Sequence, residues 1–300
     1  MKTAVICSKG IGDGLMMMVA SHRLKLEGYD VTTFQDSLEE LEEWFPGHHF
    51  AKRSTIKTLD HFDLILLQND NTPFSLNLID RYREKIHVFY ASYEENKHPP
   101  LNTKDRIFDR ALPMVANIAQ ATASILGKPH PILENGITIP SHLIYKKNNN
   151  RIVIHPTSTT AKRTYNREKF LKVAKKLEKE GYEIAFSLSP AEKERWGEIP
   201  FQTPEFPTLS SLASYLYESK FLIGNESGTG HLASNLGIPT LIIASCPKQM
   251  ALWRPGFLLG SIVTPPSYIP NFKLLRLRQN KWQTFISPRH VIKTFHQAIK

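Results

Sequence analysis

Residues 1–34, MKTAVICSKGIGDGLMMMVASHRLKLEGYDVTTF, decide the fold class, because the spacing of apolar residues changes twice within them. Residues 3–7 are a short apolar run, the mark of a buried strand. Residues 12–26 then place Leu15, Val19, His22 and Leu26 along one side of a helix. Gly28 follows where a left-handed residue closes a helix, and residues 29–34 read as the next strand. Strand, helix, strand in so short a span is a crossover unit, whose two strands run parallel.

The pattern continues along the chain. Ser37 followed by Glu40 is a capping-box signature for a helix running towards Trp44. Residues 63–68 (DLILLQ) and 86–90 are further strands, and residues 113–126 a helix ending at Gly127. Lys146-Lys147-Asn148-Asn149-Asn150 holds no apolar residue and is expected to link two domains, 1–148 and 149–300. The second domain starts again with a strand at 151–155. A helix follows, capped by Asn166, with Phe170, Val173, Ala174 and Leu177 on one face and Gly181 at its end. Residues 182–188 are a strand, and Ser189-Pro190 with Glu192 opens a short helix. Helix 209–219, strand 221–224, helix 229–236 closed by Gly237, and strand 240–245 complete the series. The expectation is an α/β protein of two Rossmann-like domains, each taking ligands at the carboxyl ends of its strands.

Composition narrows the function. No apolar run approaches the roughly 18 residues that cross a bilayer, and Lys9 and Asp13 interrupt the N-terminal stretch, so a secretory signal is not expected. Cys7 and Cys246, far apart at the ends of apolar runs, read as core thiols rather than a disulfide. A cytoplasmic enzyme or binding protein fits. The net charge of +10 is lopsided: residues 1–148 carry 17 Lys/Arg against 18 Asp/Glu, and residues 149–300 carry 21 against 10. A basic second half suits an anionic ligand or surface, or is simply a solvated face.

Three segments can carry chemistry. Gly10, Gly12 and Gly14 after the first strand let the chain turn sharply and let a ligand approach the backbone. Asp13 among them either serves a ligand or only favours the helix N-terminus. His155-Pro156-Thr157-Ser158-Thr159-Thr160-Ala161-Lys162-Arg163 follows a strand and joins four hydroxyl residues to two cations, a set suited to phosphate. Gly224-Asn225-Glu226-Ser227-Gly228-Thr229-Gly230-His231 breaks from a strand into a helix through small residues, leaving free N–H groups that bind anions. Glu226 can accept from sugar hydroxyls, and His231 is either a satisfied core histidine or a ligand contact. No His-x-x-x-His, cysteine pair or Asp-x-Asp suggests a metal site.

These segments together resemble glycosyltransferase family 9, the lipopolysaccharide heptosyltransferase family. The resemblance rests on Ile11-Gly12-Asp13, on His155-Pro156 with Ala161-Lys162-Arg163, and on the block from Gly224 through His231-Leu232-Ala233, Leu236-Gly237 and Pro239-Thr240 to Trp253-Arg254-Pro255. It implies a GT-B fold with two domains facing across a cleft, an acceptor-side first domain and a donor-binding second domain. The implied reaction is inverting, metal-independent transfer of a sugar, ADP-heptose being the usual donor, to a lipopolysaccharide core or related glycan. By position Asp13 matches the general base, with Gly10, Gly12 and Gly14 forming the acceptor-side loop. Lys162 matches the donor phosphate contact. Thr157, Ser158 and Arg163 accompany it, and Glu226, Ser227, Gly228, Thr229 and His231 fall in the donor-site turn. The chain has Glu226 where the family usually has Asp, and Thr164-Tyr165 where it has Trp.

The nucleotide sugar is thus expected as substrate, with no cofactor, and a glycan or glycolipid as acceptor, with peripheral contact to the inner membrane if the acceptor is a lipid. A sugar-nucleotide epimerase or hydrolase of similar fold, or a non-catalytic nucleotide- or glycan-binding module, are the competing readings. Nucleic acid is not an expected partner, since no motif interleaves aromatic and basic residues. Lys273, Arg276, Arg278 and Lys281 form a basic cluster that is either solvated or meets an acidic glycolipid.

Overall fold

The computed structural model describes residues 1–271 and 276–300, so Lys273 of the C-terminal basic cluster lies outside the described residues. The chain forms two compact units, Met1–Pro140 and Ser141–Lys300. The division precedes the Lys146–Asn150 stretch expected to be the linker. That stretch is held by the second unit: Lys146 N donates to Tyr217 O at 3.0 Å and Asn148 N to Glu218 O at 2.9 Å. Asn148 already begins a strand, so this asparagine run is the start of an internal strand of the second sheet rather than linker.

In the first unit, β1 (Lys2–Ile6) leads into α1 (Ile11–Leu26), β2 (Asp30–Phe34) and β3 (His49–Ala51). Then come β4 (Leu64–Gln68), α2 (Pro73–Arg81), β5 (Ile86–Tyr90), β6 (Arg106–Ile107) and α3 (Met114–Ile125). The six strands are parallel, in the order β3-β2-β1-β4-β5-β6. The order reverses at β1 and β4, where the carboxyl ends of neighbouring strands open a crevice. Leu64 to Gln68 are buried at every position, as a central parallel strand covered on both faces requires.

The second unit runs β7 (Asn148–His155), α4 (Arg167–Lys179), β8 (Glu183–Phe186), α5 (Pro190–Trp196), α6 (Leu209–Tyr217) and β9 (Ser219–Asn225). It continues with α7 (Gly228–Asn235), β10 (Thr240–Ile243), α8 (Pro247–Trp253) and β11 (Ser261–Val263). After these come α9 (Leu277–Asn280), α10 (Trp282–Phe285) and α11 (Pro288–Ala298). Its five parallel strands lie in the order β11-β10-β9-β7-β8, with the reversal between β9 and β7. The expected face of α4 is the buried one: Phe170, Val173, Ala174 and Leu177 pack on Ile152, Ile154 and Phe186. Asn166 caps it by accepting from Lys169 N at 3.2 Å, and Ser189 with Glu192 completes the capping box of α5.

Three local expectations change. Ser37 does not cap the following segment, a 3-10 helix at Leu38–Trp44 kinked at Leu41. The acceptor for Ser37 N and Leu38 N is Gln35 Oε1, at 2.7 and 2.8 Å. Leu26, expected to face inward with Leu15, is 60% exposed in the last turn of α1. Cys246 sits at the N-terminus of α8 rather than at a strand end; both cysteines are free.

The approach of β7 to β9 is close enough to exclude a side chain. A Cβ on Gly224 would lie 2.5 Å from the carbonyl oxygen of His155. Backbone cannot swing aside as a side chain can, so Gly224→Ala is expected to lower unfolding stability by about 1–3 kcal/mol. Chemical denaturation gives the value, and an unchanged midpoint would contradict this packing.

Candidate functional site

Each unit has its chemically equipped loops at its own strand-order reversal. In the first unit, the turn after β1 brings Asp13 into the first turn of α1, beside the end of β4. Gln68, the last residue of β4, donates from Nε2 to Asp13 Oδ1 at 2.7 Å. Its own Oε1 accepts from Ser8 N at 3.0 Å, so the amide cannot turn over without losing that bond. The other carboxylate oxygen lies over Gly10, where an added Cβ would come within 2.7 Å of Oδ2. Gln35, fully buried, donates to Lys9 O at 3.0 Å and fixes the loop from behind. A Cβ on Gly14 would meet its side chain at 2.9 Å. Gly10 and Gly14 are thus needed for close approach within the protein, and Gly12 is buried in the same turn.

This setting raises the Asp13 pKa to about 6, chiefly because burial takes the charged form out of water. The hydrogen bond from Gln68 opposes the rise, Asp70 adds to it, and Arg53 opposes it. Asp70 is itself held: its Oδ2 accepts from Arg53 at 2.9 Å, and its Oδ1 from Thr72 Oγ1 and Ser75 Oγ at 2.6 and 2.5 Å. Burial would push Asp70 up, but these donors keep it below the usual carboxylate range. Two neighbouring carboxyls therefore titrate apart, with Asp13 the one able to exchange a proton near neutrality. Cys7 at the end of β1 is buried, and burial pushes its thiol up, so it stays protonated.

In the second unit one buried amide organises the site. Asn225, the last residue of β9, donates from Nδ2 to Pro156 O at 2.6 Å and accepts at Oδ1 from Tyr165 N at 3.0 Å. It therefore ties both ends of the 157–164 loop to one strand terminus. Tyr165 is buried, with its hydroxyl donating to Ile286 O at 2.9 Å; Trp282 Nε1 donates to Lys162 O at 2.9 Å. The loop is thus anchored to the core at Tyr165 and to the segment ahead of α11.

The candidate donor-site residues divide by what their side chains do. Thr157 turns inward, with its hydroxyl donating to Glu192 Oε1 at 2.5 Å and 3.2 Å from His155 Nε2. Ser158 Oγ donates to Glu226 O at 3.0 Å, joining the loop to the turn after β9. Both hydroxyls therefore build the site from within. Lys162 and Arg163 are exposed, and Arg163 stands 3.6 Å from Glu226 Oε1. Ser227 caps α7 through Gly230 N, which leaves the N–H groups of Gly228 and Thr229 as ones an α-helix does not satisfy internally. His231, in the same first turn, is 5% exposed, and its Nδ1 has no hydrogen-bond partner. Burial lowers its pKa to about 4, so the ring is neutral at neutral pH. His155 is also lowered by burial, and its Nδ1 donates to Ser187 O at 2.9 Å. Among the described residues no three His, Cys, Asp or Glu side chains are grouped to hold a metal ion.

The sequence reading did not single out Gln35, Gln68 or Asn225 for any role. Each stands at or just past a strand end, where a polar residue after an apolar run is the only local sign of such a duty.

Residues 82–254 match the family described as glycosyltransferase family 9 (heptosyltransferase). That span includes the 155–163 loop and the turn at 224–231 but begins after Asp13. Among solved structures, E. coli heptosyltransferase WaaC with ADP aligns with 99% of this chain and 100% of its own, at TM-score 0.70 and 13% identity. E. coli ADP-heptose lipopolysaccharide heptosyltransferase II aligns with 100% and 98%, at 0.71 and 16%. The family 9 glycosyltransferase of Veillonella parvula DSM 2008 aligns with 99% and 97%, at 0.71 and 18%. At these identities the likeness is one of fold: two α/β domains of the GT-B kind. None of the curated proteins matches the chain in sequence.

The raised pKa of Asp13 has a stability consequence. Below about pH 3 the carboxyl is protonated in both folded and unfolded chains. Between its ordinary value and about 6 the unfolded chain ionises first, so native stability falls as pH rises. Asp13→Asn keeps an acceptor for Gln68 and removes the charge. It is expected to match the wild type at about pH 3 and to exceed it by about 1–3 kcal/mol at about pH 8. Thermal unfolding at both pH values checks this; a difference that does not change with pH would contradict it.

Proposed function

The chain belongs to glycosyltransferase family 9, and on that premise we propose that it is an inverting glycosyltransferase using a nucleotide diphosphate sugar, ADP-heptose or a close analogue. The acceptor is a hydroxyl of a lipopolysaccharide core or related glycan, and the site of action is cytoplasmic, peripheral to the inner membrane where the acceptor is a lipid. The first unit serves the acceptor and the second holds the donor.

The observation that carries the reading is the Asp13 carboxyl: half-buried, held by one amide, and poised near neutrality at the strand-order reversal of its sheet. A general base works best when its pKa lies near the working pH. In the proposed step Asp13 takes the proton of the acceptor hydroxyl as that oxygen bonds to the anomeric carbon. The bond from this carbon to the diphosphate oxygen breaks on the opposite face, which inverts the configuration. Negative charge then gathers on the leaving diphosphate. Lys162, Arg163 and the free N–H groups at the start of α7 supply positive charge and donors for it without a metal ion. The neutral ring of His231, with its unpartnered nitrogen, supplies a further polar group to the same turn.

The charge distribution agrees with this division of labour. The basic half of the chain is the half assigned the diphosphate, and the near-neutral half carries the base.

Replacing Asp13 by Ala is expected to lower turnover by about 10²–10⁴-fold while calorimetry shows nearly unchanged donor affinity. Lys162→Ala is expected to weaken nucleotide diphosphate binding by about 10- to 100-fold, the range for a hydrogen bond to a charged group. Turnover of Asp13→Ala near the wild-type rate would contradict the role given to that residue. Unaltered affinity in Lys162→Ala would remove the lysine from the phosphate site.

A further inference from the structure

The second unit carries a basic groove that has no part in the chemistry above. It runs between α4 and α11, which lie side by side, and encloses about 700 Å³. Lys172, Lys176, Arg289, Lys293 and Lys300 line it with His296. Its one side-chain carboxylate, Glu180, is already engaged by Lys176 Nζ at 3.1 Å and His296 Nε2 at 3.2 Å. Part of the floor is apolar, formed by Ile292 and Pro288. The inner faces of the same helices are fixed in the core through Phe170, Val173 and Leu177 on α4 and through Val291 and Phe295 on α11. The cations are therefore mounted on two rigid supports, and the groove between them concentrates the field that a flat surface would disperse.

We propose that this groove is a docking surface for the anionic headgroups of a phospholipid bilayer. The charge sign selects a polyanion, and three further features favour a lipid surface over other polyanions. Four of the five permanent cations are lysines, whose mobile point charges suit phosphates that diffuse in a fluid plane. Arginine forks suit fixed, bidentate partners instead. Ile292 and Pro288, both partly exposed, add apolar surface to the lining that an acyl chain could contact. The lining contains no Phe, Tyr or Trp on which a nucleic-acid base could stack. The proposal does not depend on the transferase reading, since it concerns only where the second unit holds to a surface.

The test is co-sedimentation of the whole chain with vesicles of phosphatidylcholine alone or containing about one-third phosphatidylglycerol, in about 0.1 M salt. Two triple variants separate the groove from net charge. Lys172→Gln, Arg289→Gln and Lys293→Gln neutralise the groove. Arg195→Gln, Lys248→Gln and Lys281→Gln remove the same number of cations from exposed positions outside its lining. Thermal unfolding establishes that both triples are folded, and a triple that is not is replaced by its single substitutions.

The wild type is expected to partition onto the anionic vesicles only, and to be released at about 0.5 M salt. The groove triple should lose about 100-fold in partitioning, at roughly fivefold per cation removed near an anionic surface. The control triple should lose less than about a third of that on a logarithmic scale. Equal losses in the two triples, or a groove triple that partitions like the wild type, would overturn the proposal. Equal binding to neutral vesicles would do the same. Groove-dependent binding of duplex DNA without binding to anionic vesicles would overturn it in favour of nucleic acid.

Discussion

A carboxyl group drawn partly out of water at the end of β1, and kept there by a single amide, is the constraint on which the first unit's chemistry rests. Burial of Asp13 disfavours its charge, and the hydrogen bond from Gln68 limits how far. The glycines of the turn, Gln35 behind it and the Arg53–Asp70 pair beside it follow from that one placement. Gly10 gives the second oxygen room, Gln35 holds the loop's carbonyls, and the hydroxyls of Ser75 and Thr72 together with Arg53 keep Asp70 ionised so that the two carboxyls differ. An aspartate at a helix N-terminus with no such surroundings would have its pKa lowered, not raised.

The second unit solves a different electrostatic problem by the same topology. Its strand-order reversal also presents two strand ends, but Asn225 uses one of them to hold a loop that ends in cations. Thr157 and Ser158 contribute by fastening that loop internally, so the groups left to meet an anion are the exposed Thr159, Thr160, Lys162 and Arg163 and backbone N–H at the start of α7. A diphosphate needs positive charge and directed donors, and this arrangement supplies both from one side of one sheet. Tyr165 accounts for one departure from the family's usual sequence. It is a core residue whose backbone N–H and hydroxyl both anchor the loop.

What the sequence made legible was whatever depends on period and on neighbours. The strands at β1, β4, β5 and β7, the buried stripe of α4 and the Asn166 cap all arise from residues within a few positions of each other. Ser37 shows the limit of such reasoning. The motif has the right spacing, yet the N–H groups that open the segment, those of Ser37 and Leu38, are taken by Gln35 Oε1, a residue outside the motif. The sequence reading assigned no element beyond residue 245, and α11 is placed only by the packing of Val291 and Phe295 on the core of the second unit. The bonds from Gln68 to Asp13 and from Asn225 to Pro156 join residues 55 and 69 positions apart. No local pattern encodes them; the register of parallel strands does. The same holds for the linker, where an asparagine-rich run looks loose in sequence and is the start of β7, an internal strand, in the fold.

The most direct test of the account is the pH dependence of kcat/KM for sugar transfer, measured from about pH 4.5 to 8.5. This quantity reports groups in the free enzyme, so it reads the carboxyl in the setting described. The account predicts an acid limb of unit slope centred near the value of about 6 that burial gives Asp13. A rate that stays flat down to pH 4.5 would mean that no carboxyl in this environment takes the proton, and would contradict the assignment.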